Sequence, residues 1–550
     1  MKVELQPCIE HVGIDKKYQW NFTVYTKSTK VKSVWYIALP ITSAHRGSHS
    51  GGGNKWRGID GQEKYKNEGC VYPHASLLEM ITYHNMHFPC IKWKYIDASH
   101  YNWEMLKEII QDNPPDVAAF TVYTASYLWA LIVSAYLKKL NPNVVTIFGN
   151  DHASLLKKEI LQGDYGSKIV DFIGDGNNGP FTMMGLLSYL EGSLPLTKIP
   201  SIAYRTQSGE VVIQAANTYP TNQRMLPDYR LIEGYLKEHY DPAFQLWYAD
   251  HFEMKRMVTF PLASGCNWGK HPKRRCLHCS IQGLTPKTAK ISSIIERFEQ
   301  IVGELKSNVY SAGDSTMGFT SNQWDCNPFL DHLARACADS KVLRNRRFLK
   351  MYGLVKEFLD SAQVHKNFCH TWNVGVEAFD PEILKNDSKG INSGTEELYQ
   401  AMELAKDFGY KVTPSGIVGL PGTSLKSLKQ EVYNWLAFIE AYKELIPLVM
   451  IALPGVIPGS RMYYSLFSKN KIVQKLHGES IPCRMLSKIY IESTTDVTIE
   501  DVEAAQQDIA KGIIMISQKY NTSIKVGANS MGGSDEHEKR EIAILKQLIS

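Results

Sequence analysis

GCNWGKHPKRRCLHCSI, residues 265–281, holds three cysteines, Cys266, Cys276 and Cys279, in the spacing C-x9-C-x2-C. Thiolates are soft ligands that suit an iron–sulfur cluster or zinc. The C-x2-C pair lets two sulfurs reach one centre, and Cys266 returns to it from the far side of a basic loop. Lys270, Lys273, Arg274 and Arg275 in that loop favour thiolate over thiol. Three cysteines leave one position of a four-ligand centre open. With His271 or His278 as a fourth ligand, the same stretch makes a closed structural zinc site. On the cysteines alone, both readings stand.

Working outward, the apolar run at 257–263 enters the loop and reads as a buried strand. Beyond the loop, Ser293 and Glu296 have the S-x-x-E spacing of a capping box. Ile294, Ile295, Phe298, Ile301, Val302 and Leu305 then share one face of an amphipathic helix. Residues 308–314 read as the next strand. Strand, loop, helix and strand make a βα unit with its cysteines after a strand's C-terminal end, where β/α barrels place their active sites.

Upstream, apolar stretches at 34–39, 91–96, 116–123, 144–148 and near 169–173 alternate with helical patterns at 72–83, 103–112 and 127–140. Such alternation predicts a doubly wound parallel sheet. Ligands of these sheets bind beyond the carboxyl ends of the strands. Three strand ends carry suitable loops: Tyr123-Thr124, GNDHAS at 149–154 and GDGNN at 174–178. Residues 199–205 and 209–213 read as a closing hairpin, and 216–254 as a linker.

Four later motifs follow: NVGVEA at 373–378, SKGINS at 388–393, SGIVGLPGT at 415–423 and LPGVIPGS at 453–460. Together with the cysteine loop, and in this order, they resemble the radical S-adenosylmethionine (SAM) enzymes, in the subgroup with an N-terminal cobalamin-binding domain. The commonest loop of that family is C-x3-C-x2-C with an aromatic residue before the last cysteine. Here the first gap is longer and His278 takes that place.

The resemblance implies an α/β fold in two parts. A Rossmann-like sheet of the cobalamin-binding type covers 33–215, and a partial (β/α)6 TIM-like barrel covers 255–466. Residues 1–32 are an extension and 467–550 a helical C-terminal region. It also implies that Cys266, Cys276 and Cys279 hold a [4Fe–4S] cluster. SAM contacts fall on His278, Ile281, Gly313, Asp314, Glu377, Ile417, Gly419 and Pro421. Cobalamin contacts fall on Tyr123, Thr124, Gly149, Asn150, Asp151, His152, Gly174, Asp175 and Gly176. This region has no D-x-H-x-x-G pattern, so His152 is expected within the loop and not as cobalt's lower ligand.

The implied activity is cleavage of SAM and modification of an unactivated carbon, or a phosphinate, of a small biosynthetic substrate. Methyl transfer leads. A flavodoxin- or ferredoxin-type protein would donate the electron. Rearrangement, or transfer of the 3-amino-3-carboxypropyl group without catalytic cobalamin, stays open. So does a zinc-stabilised module without catalysis.

At 550 residues the chain is too long for one ordinary domain, and 44% hydrophobic with 21% charged residues is globular. A net charge of +5 does not mark a nucleic-acid binder, and none is expected as a partner. No apolar run is long enough to predict a membrane span. Ten cysteines without a secretory h-region predict a reducing, cytoplasmic setting. Cys369 reads as a buried inert thiol. Ser393 and Glu396 read as the cap of a helix, and 527–537 as a polar connector between helical stretches around 499–519 and 536–549.

Overall fold

The computed structural model describes residues 2–4, 23–25, 30–39, 71–174, 178–214, 225–248, 254, 256–264, 276–279, 287–311, 326–387, 394–475, 477, 483–529 and 535–549. Its N-terminal sheet is built from β1 Ser33–Ala38, β2 Lys92–Asp97, β3 Val117–Thr121, β4 Val145–Gly149, β5 Phe172–Gly174, β6 Ile202–Arg205 and β7 Val211–Ile213. The spatial order is β2-β1-β3-β4-β5-β6-β7. The first five strands run parallel, and β6 and β7 add an antiparallel edge.

Every residue of β3 is buried, as a parallel strand covered on both faces requires. Leu77 and Ile81 of helix Ala75–His87 pack on one face of the sheet, with Met183 and Leu186 of helix Gly179–Leu190. On the other face Trp35, Ile37, Phe120 and Phe148 meet helices Trp103–Asp112 and Tyr127–Leu140. The sheet is doubly wound, as expected. The predicted strand near 169–173 is shorter than its apolar run, because Ile169 closes a short helix, Gly166–Ile169, before β5 begins.

The second sheet comprises β8 Met257–Thr259, β9 Asn308–Ser311, β10 Leu349–Tyr352, β11 Cys369–Glu377, β12 Lys411–Ile417, β13 Leu448–Ala452 and β14 Lys525–Asn529. They pair in chain order and all in parallel. This is an open β/α barrel. Side chains alternate as the pleat demands. Leu349, Met351, Trp372, Val374 and Val412 face the outer helices. Met257, Tyr310, Leu448 and Met450 line the lumen, where Tyr72 and Phe244 fill the space between them.

The linker ties the two sheets together. Tyr240 donates to the Asp97 Oδ2 at the end of β2 (2.6 Å), and Tyr229 donates to the carbonyl of Thr259 at the end of β8. Arg256, just before β8, pairs with Asp241 through its Nε at 2.6 Å.

Three local readings need correction. The helix after the cysteine loop starts at Ile291 with Lys290 as N-cap, and no side chain caps it. The chain just before it is held extended by the Ala289 N–H on the Leu262 carbonyl, 3.2 Å. Ser293 therefore lies inside the first turn. The helix at 395–407 is capped at Gly394, whose N–H donates to Glu397 Oε2 (3.2 Å), so the acid that reaches back is Glu397 and not Glu396. Residues 527–529 are not connector but the end of β14, because β13 leaves an open parallel edge on which they pair.

Candidate active site at the barrel mouth

Cys276 and Cys279 stand at the two ends of one turn, closed by the Cys279 N–H on the Cys276 carbonyl (3.3 Å), and both are half-buried. Leu277 between them anchors the turn. Together with Ile417 at the end of β12, it packs on the buried cluster that holds Leu420, just beyond that strand, and Met462 and Tyr463 of helix Arg461–Phe467. The Met462 N–H donates to the Leu277 carbonyl at 3.1 Å. The C-x2-C pair therefore sits over the C-terminal mouth of the barrel. Two thiols presented together there fit as donors to an iron–sulfur or zinc centre. His278 lies in the same turn. Cys266, Ile281, Gly313 and Asp314 lie outside the described residues.

Glu377 ends β11 with φ 61, next to a shift in strand register after Gly375. The carboxylate of Glu431, on helix Leu425–Ala441, holds this turn by accepting the Phe379 N–H on both oxygens at 3.0 Å. Burial pushes Glu431 up to about 7, against the opposing pull of that N–H. Glu377 lines a small recess with Leu354, Val355, Phe379, Thr395 and Leu398.

The glycines at the end of β12 and in the GLPG segment after it have a packing explanation of their own. A Cβ on Gly416 would lie 2.2 Å from the ring of the fully buried Trp435. Gly419, at φ +89, leaves room for the methyls of Val502, on helix Ile499–Tyr520. Pro421 follows, and the Gly422 N–H donates to the carbonyl of Thr494 (3.1 Å). The C-terminal helices thus clamp the loop that carries Ile417, Gly419 and Pro421.

At the N-terminal sheet, three adjacent strand ends build one ledge. The Val122 N–H donates to the Gly149 carbonyl (2.9 Å), and Asn150, at φ 75, sends its Nδ2 to Thr121 Oγ1 (2.8 Å). Tyr123 and Thr124 open a short 3-10 turn held by Ser126 Oγ on the Tyr123 N–H at 3.0 Å. Asp151 starts the following short helix, and Ser154 Oγ donates to the Gly174 carbonyl at 3.3 Å. Asp175 and Gly176 lie outside the described residues.

His152 is 1% exposed, with Nδ1 on Thr124 Oγ1 (3.1 Å) and its ring against Tyr127. Burial, helped by His477, pushes it down to about 3, so it is neutral. Its Nε2 is a buried polar atom with no hydrogen-bond partner among the described residues. A polar ligand seated on the ledge would satisfy such an atom, so the ledge fits a group bearing amides, as cobalamin does.

Two polar clusters escaped the sequence reading. Asp97, fully buried, accepts from Ser99 and Tyr240. Burial works to raise it, but His100, His74 and these hydrogen bonds hold it below the usual carboxylate range. The second is in the lumen, where Lys350 is 1% exposed and burial pushes it down to about 7. A lone lysine in a short apolar strand gave no motif by which to find it. Cys369 is buried, as expected, and burial pushes its thiol up to about 12.

No protein-family model matches the chain, and no curated protein matches it by sequence. Solved structures do resemble it. The radical SAM methyltransferase TsrM from Kitasatospora setae, with cobalamin and a [4Fe-4S] cluster bound, aligns at a TM-score of 0.58 and 12% identity over 94% of this chain and 99% of that one. TsrM with tryptophan substrate and the SAM analogue aza-SAM aligns at 0.53 and 13% identity, over 80% and 76%. OxsB, a cobalamin-dependent SAM radical enzyme with aqua-cobalamin bound, aligns at 0.52 and 14% identity over 90% of this chain. The chain spans only 62% of OxsB. What these likenesses define is the fold, a doubly wound parallel sheet joined to an open β/α barrel.

Proposed function

We propose that this chain is a cobalamin-dependent radical SAM enzyme that methylates an unactivated carbon, or a phosphinate, of a small biosynthetic substrate. The observation that carries this reading is the likeness over nearly the full length of both chains to TsrM, whose structure holds both groups. The half-buried Cys276–Cys279 turn over the barrel mouth supports it. In this reading Cys266, Cys276 and Cys279 hold the cluster. His278, Ile281, Gly313, Asp314, Glu377, Ile417, Gly419 and Pro421 surround SAM, and residues 255–466, completed by β14 at 525–529, form the radical domain. Tyr123, Thr124, the loop 149–152 and the loop 174–176 hold cobalamin in the domain 33–215.

When bound, the cluster supplies an electron to SAM and cobalamin supplies a transferable methyl group. The protein's part is to orient the groups and exclude water. Glu431 fixes the turn that carries Glu377, and His152 stays neutral beside the ledge. A flavodoxin- or ferredoxin-type protein supplies the electron.

The test is anaerobic purification from cobalamin-fed cells, with cluster reconstitution, followed by iron, sulfide and cobalamin assays. About four iron atoms and about one cobalamin per chain are expected. Zinc in place of iron would sink the reading. A full cluster without cobalamin would turn it to cobalamin-free chemistry, and methylthioadenosine among the products to aminocarboxypropyl transfer.

A further inference from the structure

Strands of a parallel sheet buried on both faces are normally apolar on both. The lumen face of β9 to β12 departs from this, carrying Tyr310, Lys350, Thr371, Asn373 and Thr413. Strand register brings them together: Tyr310 pairs with Lys350, Lys350 with Thr371, and Asn373 with Thr413. Lys350 Nζ lies 4.8 Å from the centre of the Tyr310 ring and 5.9 Å from that of Tyr72. Asn373 Nδ2 donates to the Tyr310 hydroxyl at 2.9 Å. The proton of that hydroxyl must therefore point away from the Asn373 amide.

Two atoms of the cluster carry the argument. Asn373 Oδ1 and Thr413 Oγ1 belong to side chains 5% and 3% exposed, and neither has a hydrogen-bond partner among the described residues. Each buried polar atom left so costs about 1–3 kcal/mol. Lys350 is itself 1% exposed, and taking its amine out of water beside the Tyr310 and Tyr72 rings adds a further cost. Apolar side chains of similar size at these positions would avoid that cost. A polar set held at such a cost inside a barrel, below an active-site mouth, is accounted for by a ligand that completes it.

We propose that Lys350, Tyr310, Asn373 and Thr413 form the recognition site for an oxyanion, a carboxylate or a phosphorus oxyacid, on the substrate. Lys350 supplies the counter-charge, the Tyr310 and Thr413 hydroxyls donate to the anion, and Asn373 Oδ1 accepts from a hydroxyl or amine next to it. The low dielectric of the lumen strengthens the charge pair. This assignment deepens the enzymatic reading and rests on it.

The test uses the reconstituted full chain with acetate, inorganic phosphate and phenylphosphinate as probes, against chloride at equal ionic strength. Melting temperature is followed against probe concentration. At least one probe is expected to stabilise the wild type. Lys350→Met is expected to melt as high as the wild type or higher without probe, and to bind that probe about tenfold more weakly or worse. Thr413→Val, which removes only a hydroxyl, should weaken the same probe while folding normally. An unaltered probe response in Lys350→Met, or in Thr413→Val should the lysine variant not fold, overturns the assignment. So does a wild type indifferent to all three probes, or a Lys350→Met that melts lower without probe. Iron and cobalamin are assayed in the same preparations. A loaded chain without probe response sinks the anion site alone, and a probe response without iron or cobalamin sinks the enzymatic reading alone.

Discussion

Glu431 shows how much one side chain does at the rim of the site. It is a helix residue, yet its carboxylate caps the turn after β11 and so sets where Glu377 stands. Its pKa in the folded chain is about 7, above the ordinary 4.5. The folded state therefore binds more protons than the unfolded one between these values, and stability falls as pH rises through 7. Glu431→Gln keeps an acceptor for the Phe379 N–H and cannot ionise. It should match the wild type at pH 4 and exceed it at pH 8 by on the order of 2 kcal/mol, read by urea denaturation at both pH values. Equal stability at pH 8 would show that burial does not perturb this carboxyl. Cys276 and Cys279 belong to the same scale. Alanine at either should leave the fold intact and abolish both iron retention and SAM cleavage, and cleavage retained in either variant would remove it from the ligand set.

Among the elements, β12 and the loop after it are shaped by what packs behind them. Gly416 is where Trp435 needs the space of a side chain, and Gly419 is where Val502 does. Gly416→Ala forces a methyl into the buried indole, and overpacking of this kind costs about 1–3 kcal/mol. Trp435→Leu in the same chain should recover part of that loss, so the two substitutions should be non-additive in a double-mutant cycle. Additive losses would mean that the two residues do not compete for the same volume. The motif was visible in the sequence, but the reason for its glycines was not, because the partners are 19 and 83 residues further along the chain.

For the molecule as a whole, helix Tyr127–Leu140 is the informative element. Its residues Tyr127 to Leu137 are buried all round, so the sheet alone cannot cover it. The cover comes from helix Asp535–Ile549, through Leu545 and through Trp129 Nε1 donating to Glu541 Oε1 at 2.9 Å. The end of the chain thus returns across the barrel edge at β14 to close the N-terminal sheet. Ending the chain at residue 530 should destabilise the N-terminal half by on the order of 5 kcal/mol, from the apolar area uncovered. Hydrogen exchange should then show helix 127–140 losing protection ahead of β10 to β12. Unchanged protection there would mean that the last helix is dispensable.

What the sequence determined by itself are the properties written in local period and spacing. Apolar runs marked the parallel strands, and apolar spacing marked the helix at 103–112, because burial selects residues along an element by its period. The cysteine spacing and the strand-end loops marked where chemistry would gather. Only the tertiary structure decided which distant segments meet: the seventh barrel strand from 525–529, the last helix on the first domain, the capping of Phe379 by Glu431, and the convergence of Lys350, Tyr310, Asn373 and Thr413. Each of these depends on contacts between residues far apart in the chain, and such contacts leave no periodic trace in a single sequence.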